Sequence, residues 1–168
     1  MKTQKEKLQY TFARSSIGQL LIAKSAKGLC ALLIGEDKGA LRADLQRRFP
    51  RTDIEESNDI APIGRNVAAF LEVSGKQFGE QLELRGTDFQ RAVWNALRKI
   101  PAGTTSTYSE IAEKIGRPKA VRAVGAACAA NHISIIVPCH RIVGSNGALT
   151  GYFWGMDLKR ELLRRESE

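Results

Sequence analysis

The residues in this chain best placed to do chemistry are Cys139, His140 and Arg141, which follow the branched apolar run Ile135-Ile136-Val137 and Pro138. A cysteine attacks only as its thiolate. Neighbouring cations lower a thiol pKa, whereas burial among isoleucine and valine raises it. The spacing therefore marks Cys139 as a candidate nucleophile, with Arg141 or a protonated His140 expected to draw its pKa toward neutrality. On an extended chain, adjacent side chains point to opposite sides. A direct Cys139-His140 dyad of the hydrolase kind is thus disfavoured, and no motif for an oxyanion hole accompanies it.

The other two cysteines, Cys30 and Cys128, give an odd and widely spaced set without a Cys-x-x-Cys pair. That argues against a disulfide framework and suits a reducing compartment. With only His132 and His140 beside them, the sulfurs form no recognisable tetrahedral zinc site, so no metal is expected. Cys30 and Cys128 read as packed residues, His132 as a partly exposed linker residue, and Trp94 and Trp154 as core. The basic, polar segment Met1 to Lys7 has no apolar stretch behind it of the kind a signal peptidase reads, and no apolar run approaches the length of a membrane span. A cytoplasmic protein with no membrane contact is expected. The formal charge of +8 over 168 residues favours a polyanionic partner.

Two textures of sequence have to hold these residues in place. In the N-terminal part, apolar runs at 8–14, 18–24 and 28–34 are broken by Ser15-Ser16-Ile17-Gly18 and Ser25-Ala26-Lys27-Gly28, which predicts a three-stranded meander. Leu41, Leu45 and Phe49 then predict a helix stopped by Pro50. Ile63, Val67, Phe70 and Leu71 predict a second helix ending at Gly75, and Leu82 to Arg85 a short closing strand.

From Thr87 the chain reads as helices. Thr87 with Gln90 and Thr107 with Glu110 have the spacing of capping boxes. They predict helices over about 88–100 and 108–115, the second ending at Gly116 as a left-handed cap. Arg117-Pro118 predicts the start of a third helix reaching Ala130, giving a helix-turn-helix outline. The third helix is almost without bulk: Ala120, Ala123, Gly125, Ala126, Ala127, Ala129 and Ala130 leave its backbone free to approach a partner closely. Lys114, Arg117, Lys119 and Arg122 gather around the turn where a duplex backbone would be gripped. An apolar strand before Cys139, a tight turn at Ser145-Asn146-Gly147, and a last helix from about Asp157 with Leu158, Leu162 and Leu163 inward complete the reading.

Pro138-Cys139-His140-Arg141, preceded by a basic alanine-rich helix with Arg122 and Asn131 and followed by Gly151-Tyr152 and Glu166, resembles the O6-alkylguanine-DNA alkyltransferases over nearly the whole chain. The resemblance implies an α/β fold with a ribonuclease-H-like lobe at 1–86 and a mostly helical lobe at 87–168. The second lobe would carry a helix-turn-helix of the winged type that enters the minor groove of double-stranded DNA. It further implies irreversible, single-turnover transfer of an alkyl group from O6-alkylguanine to Cys139 by a monomer without a cofactor, and leaves open whether O4-alkylthymine is also a substrate. His140 would take the thiol proton through a water and Glu166 would hold the imidazole. Asn131 would brace the turn. Tyr108 would contact the flipped base, the carbonyls of Cys139 and Ile142 would accept from the guanine amino group, and Tyr152 and Phe153 would form the pocket wall. Arg122 would fill the space left by the flipped nucleotide. The rival within this family is an alkyltransferase-like protein that recognises damage without repairing it; those relatives replace the nucleophile, and Cys139 is present here.

Overall fold

The computed structural model describes residues 6–73 and 78–168. The described residues form two compact units, one comprising those up to Val73 together with 78–83, the other Leu84–Glu168.

In the first unit, β1 (Lys7–Ser15), β2 (Gly18–Ser25) and β3 (Gly28–Gly35) form the predicted antiparallel meander. A fourth strand, β4 (Asp53–Glu56), runs parallel to β1 and gives the order β3-β2-β1-β4. Two helices, α1 (Lys38–Arg48) and α2 (Ala61–Leu71), cover the sheet. They lie on opposite faces. The Arg42 guanidinium of α1 donates to the Tyr10 hydroxyl at 3.0 Å. A Cβ added at Gly64 of α2 would meet Thr11 at 3.0 Å, and Tyr10 and Thr11 are neighbours on one strand. A sheet covered on both faces must be apolar on both. Leu20, Leu21, Ile22, Ala23, Ala31, Leu32 and Leu33 are accordingly all fully buried, which is why β2 and β3 read as continuous apolar runs and do not alternate.

α1 is capped as its sequence suggests, with the Asp37 side chain accepting from the Ala40 N–H at 2.9 Å. α2 ends at Leu71; its predicted stop at Gly75 lies outside the described residues. The predicted strand at 82–85 reduces to a single bridge between Leu29 and Leu82. There the chain comes so close that a Cβ on Gly28 would stand 2.6 Å from the Gln81 carbonyl oxygen, and the φ of +144° at Gly28 suits no other residue.

The second unit begins with α3 (Asp88–Leu97), whose capping box is complete: Thr87 Oγ1 accepts from the Gln90 N–H at 3.1 Å, and Gln90 Oε1 accepts from the Thr87 N–H at 2.9 Å. The second box is half formed. Thr107 caps α4 (Tyr108–Lys114) by accepting from the Glu110 N–H, but the Glu110 carboxylate takes the Ser106 hydroxyl at 3.1 Å. Gly116 adopts the expected left-handed conformation with φ +76°. The following helix, α5 (Val121–Ala129), starts four residues later than predicted, because Arg117 to Ala120 form a turn with the Ala120 N–H bonded to the Arg117 carbonyl. Two very short strands, β5 (Ser106–Thr107) and β6 (Ile142–Val143), pair in parallel, and α6 (Met156–Glu166) ends the unit. No helix among the described residues is long and apolar enough to cross a membrane.

Candidate active site

Cys139 lies in a single 3-10 turn, Cys139–Arg141, and is 5% exposed. The expected strand before it is absent. Residues 133–137 form an irregular loop held by one bridge between Ser134 and Val137, with Ile135 at φ +68°, a left-handed conformation that a β-branched side chain rarely adopts. Such a residue persists only where its surroundings over-determine it. Here Asn131 does so: its Oδ1 accepts from the Ile133 N–H at 2.9 Å, and its Nδ2 donates to the Val137 carbonyl at 2.9 Å and to Cys139 Sγ at 3.4 Å. Buried itself, Asn131 sits two residues beyond α5, so one side chain joins that helix to the thiol turn.

The turn commits both neighbouring side chains to Glu166. His140, fully buried, pairs through Nε2 with Glu166 Oε1 at 2.7 Å. The Arg141 guanidinium donates to both Glu166 oxygens at 2.8 to 3.2 Å and to the Ile100 carbonyl at 2.7 Å. Burial works against the charge on Glu166, but the hydrogen bonds from His140 and Arg141 outweigh it and hold the carboxyl down at about 2. Burial likewise lowers the His140 pKa against the pull of Glu166, so the imidazole is neutral at pH 7. Its Nδ1 is buried without a hydrogen-bond partner among the described residues.

The expectation of a thiol tuned toward neutrality is therefore overturned. Burial pushes Cys139 up to about 11, against the smaller lowering effects of the Asn131 hydrogen bond and the Lys159 charge. Lys159, which the sequence reading did not single out, is the cation whose charge acts on the thiol. It is fully buried on α6, and its Nζ donates to the Ile142 carbonyl at 2.5 Å and the Thr150 carbonyl at 3.2 Å. Of the leucines expected inward on this helix, only Leu162 is buried.

A cavity of about 310 Å³ opens beside the sulfur, lined by Tyr108, Gly125, Cys128, Ala129, Cys139, Gly151, Tyr152 and Phe153. It brings together five of the predicted residues, Cys139, Tyr108, Tyr152, Phe153 and Gly125. Gly125 is thus a wall of the cavity, where an added Cβ would stand 3.9 Å from the Tyr108 ring, and is not part of the exposed basic surface. Ile142 does not line the cavity. It is fully buried, and its carbonyl, expected to await a base, already accepts from Lys159. Cys128, expected as simple packing, is a second thiol on the cavity wall, pushed up to about 12 by burial and by Cys139. Tyr152 is fixed by a 3.2 Å hydrogen bond between its hydroxyl and Ser134 Oγ, and Tyr108 by a 2.7 Å bond between its hydroxyl and Thr150 Oγ1. Phe153, 52% exposed, stands at the lip with its ring edge-on to Trp154.

Outside the cavity, Lys114, Arg117, Lys119 and Arg122 are all exposed around the turn between α4 and α5. Arg122, Ala126 and Ala129 follow at helical spacing along the open face of α5, and Ala129 reaches the cavity lining. Trp94 is core, its Nε1 donating to the Ala127 carbonyl at 2.8 Å, whereas Trp154 is only half-buried, contrary to expectation. His132 is partly exposed as expected and meets the Trp94 ring edge. Among the described residues, no group of three or more His, Cys, Asp or Glu side chains could hold a metal ion.

Fold and site together define a helix-turn-helix protein in which a small-residue helix with a basic start runs past a closed thiol backed by a histidine-carboxylate pair. Residues 88–168 match the 6-O-methylguanine DNA methyltransferase DNA-binding domain, and residues 8–65 match the ribonuclease-like domain of the same proteins. The chain is 45% identical to the bifunctional transcriptional activator and DNA repair enzyme Ada of Escherichia coli over 96% of its own length and 46% of that protein's. It thus spans about half the length of that relative. It is 42% identical to a methylated-DNA–protein-cysteine methyltransferase of Methanosarcina acetivorans over 95% of this chain and 98% of that one. The crystal structure of Mycobacterium tuberculosis OGT in complex with DNA superposes with a TM-score of 0.78 at 40% identity, covering 95% of this chain and 92% of that one. The chain belongs to the O6-methylguanine DNA methyltransferase family.

Proposed function

We propose that this chain repairs alkylated DNA directly, taking the alkyl group of O6-alkylguanine onto Cys139. The observation that carries the reading is a thiol at the wall of a base-sized cavity, next in sequence to a buried imidazole whose Nδ1 has no partner among the described residues and whose Nε2 is held by a carboxylate. At about 11 the resting sulfur is protonated, so attack requires a base. His140, neutral and aimed by Glu166, accepts the thiol proton through a water at Nδ1, and Glu166 stabilises the imidazolium that forms. Sulfur then forms its bond to the alkyl carbon as the bond from carbon to O6 breaks. The guanine leaves as an anion and is neutralised by the proton that the thiol gave up. Lys159 lowers the energy of the thiolate in the interim, and Asn131 aims the sulfur.

The base reaches the cavity by leaving the duplex. α5 offers Ala126 and Ala129 to a minor groove roughly 6 Å wide, into which a bulkier helix would not sink. Arg122 fills the stack where the nucleotide was, while Lys114, Arg117 and Lys119 hold phosphates. Tyr108, Tyr152 and Phe153 enclose the extruded base. All of these residues belong to 87–168, so a monomer suffices, with 1–86 as the ribonuclease-like lobe, no cofactor or metal taking part, and the cytoplasm as the compartment that keeps three free thiols reduced. The thioether product has no neighbouring group able to cleave it, so each molecule acts once.

The test is the mass of the intact protein after mixing with a duplex that carries one O6-methylguanine, followed by peptide mapping. One methyl group on Cys139, and none on Cys30 or Cys128, is expected. Methylation elsewhere, or none at all, overturns the reading.

A further inference from the structure

We infer that Thr150 is a positioning residue for the transfer, setting through its hydroxyl the place and hydrogen-bond direction of the Tyr108 phenol at the cavity wall; this rests on the function proposed above. Thr150 follows a tight turn in which Asn146 Oδ1 accepts from the Ala148 N–H at 3.0 Å and the Gly144 N–H is bonded to the Ala148 carbonyl at 2.8 Å. Forty-two residues from Tyr108 in sequence, Thr150 Oγ1 lies 2.7 Å from the phenol oxygen. Its own carbonyl accepts from Lys159 Nζ at 3.2 Å, and the same ammonium holds the Ile142 carbonyl just beyond the thiol turn. Thr150 is thereby clamped from the backbone side by a buried cation and presents its hydroxyl outward to Tyr108. The thiol turn, the loop and α4 are linked through these two residues.

The chemistry gives the contact its direction. A phenol offers one hydrogen and accepts others, and a threonine hydroxyl can do either. When Thr150 donates to the phenol oxygen, the phenol hydrogen is free for the base in the cavity. That base is a guanine leaving as an anion, which gains most from a donor while the bond from carbon to O6 is breaking. Burial raises the Tyr108 pKa, and the Thr150 hydrogen bond partly offsets this, so the phenol keeps its hydrogen at neutral pH and holds it in a defined direction. With a methyl in place of the Thr150 hydroxyl, the phenol would rotate freely or turn its hydrogen elsewhere.

The experiment measures single-turnover methyl transfer from an O6-methylguanine duplex, with the Kd for that duplex read separately. Thr150→Val keeps the shape and removes the hydroxyl. It should slow the limiting rate roughly fivefold to tenfold, the range for one lost hydrogen bond, and leave Kd unchanged. Thr150→Ser should restore the rate. In a Tyr108→Phe background, Thr150→Val should slow the reaction no further, because the bond is already gone. Should Thr150→Val fail to melt cooperatively, Thr150→Ala carries the same comparison. A wild-type rate in Thr150→Val, no recovery in Thr150→Ser, or additive losses with Tyr108→Phe would overturn the inference while leaving the alkyl-acceptor reading intact. Wild-type protein that gains no methyl at Cys139 would overturn both.

Discussion

The two units bury different kinds of side chain. The sheet unit buries aliphatic residues almost throughout, and among the described residues its buried polar side chains are the neutral Thr11, Ser25 and Thr52. The helical unit buries Asn131, Ser134, His140 and Lys159, each at 1% exposure or less. A polar group taken out of water loses free energy unless it is hydrogen-bonded, and a charge loses far more. The second unit meets that cost with an interlocked set of bonds running from Glu166 through His140 and Arg141, and from Lys159 to the carbonyls of Ile142 and Thr150. Burial in the first unit produces stability. In the second it produces a preset arrangement of donors, acceptors and one sulfur. Substitutions in the first should therefore move the melting transition, and substitutions in the second the transfer rate.

The largest effect is expected from Cys139→Ala, which should abolish methyl transfer and leave duplex binding in place, with an affinity that falls as salt rises. Filter binding over a salt series checks this, and loss of binding with the sulfur would mean that the thiol itself helps to hold the duplex. Leu33→Ala, fully buried on the edge strand β3, should cost about 2–5 kcal/mol of stability, measured by urea denaturation, and leave the rate of the folded fraction unchanged. A slowed rate would mean that the sheet unit tunes the chemistry.

Glu166→Gln should slow transfer by about a hundredfold, since it weakens the proton acceptor that sulfur depends on, and should do so equally for single-stranded and duplex substrates. Arg122→Ala should slow the duplex reaction by roughly tenfold and the single-stranded reaction little, because only the duplex requires a base to be unstacked. Equal losses on both substrates would place Arg122 in the chemistry or the fold.

The smallest expected effect is on stability against pH. His140 has a lowered pKa in the fold, so below about 6.5 the unfolded chain takes up the proton first and stability declines as the pH falls. Glu166, held at about 2, adds stability that is present above the unfolded carboxylate value of about 4.3 and is lost between there and about 2. The lower step should be missing in Glu166→Gln. Urea midpoints across the pH range would show both.

Local rules made much of the fold legible. The glycines that punctuate the meander, the Thr87 capping box and the left-handed Gly116 each act within a few residues, so the sequence displays them directly. β4 was missed because Asp53-Ile54-Glu55-Glu56 is charged and carries no apolar alternation; its pairing with β1 is set by the sheet edge. The half-formed box at Thr107 shows competition from a residue outside the motif, since Ser106 captures the Glu110 carboxylate. In the site, the identity of the residues was readable and their electrostatics were not. Adjacency suggested that Arg141 and His140 would charge the thiol. A 3-10 turn instead directs both to Glu166, and the positive charge that acts on the sulfur arrives from Lys159, 20 positions along the chain, where a lysine on a helix rich in charge looks like a surface residue.

The contrast between the two tryptophans has an optical consequence. Trp94 is sealed in the core with its indole N–H bonded to a carbonyl, so its emission is a fixed background. Trp154 is half-exposed, with ring centroids 5.5 Å from Tyr152 and 5.1 Å from Phe153, two residues of the cavity wall. Under the proposed function, a base entering that cavity would change the polarity and quenching around Trp154 far more than around Trp94, and the chain would thereby carry its own fluorescent gauge of occupancy with no need for a dye.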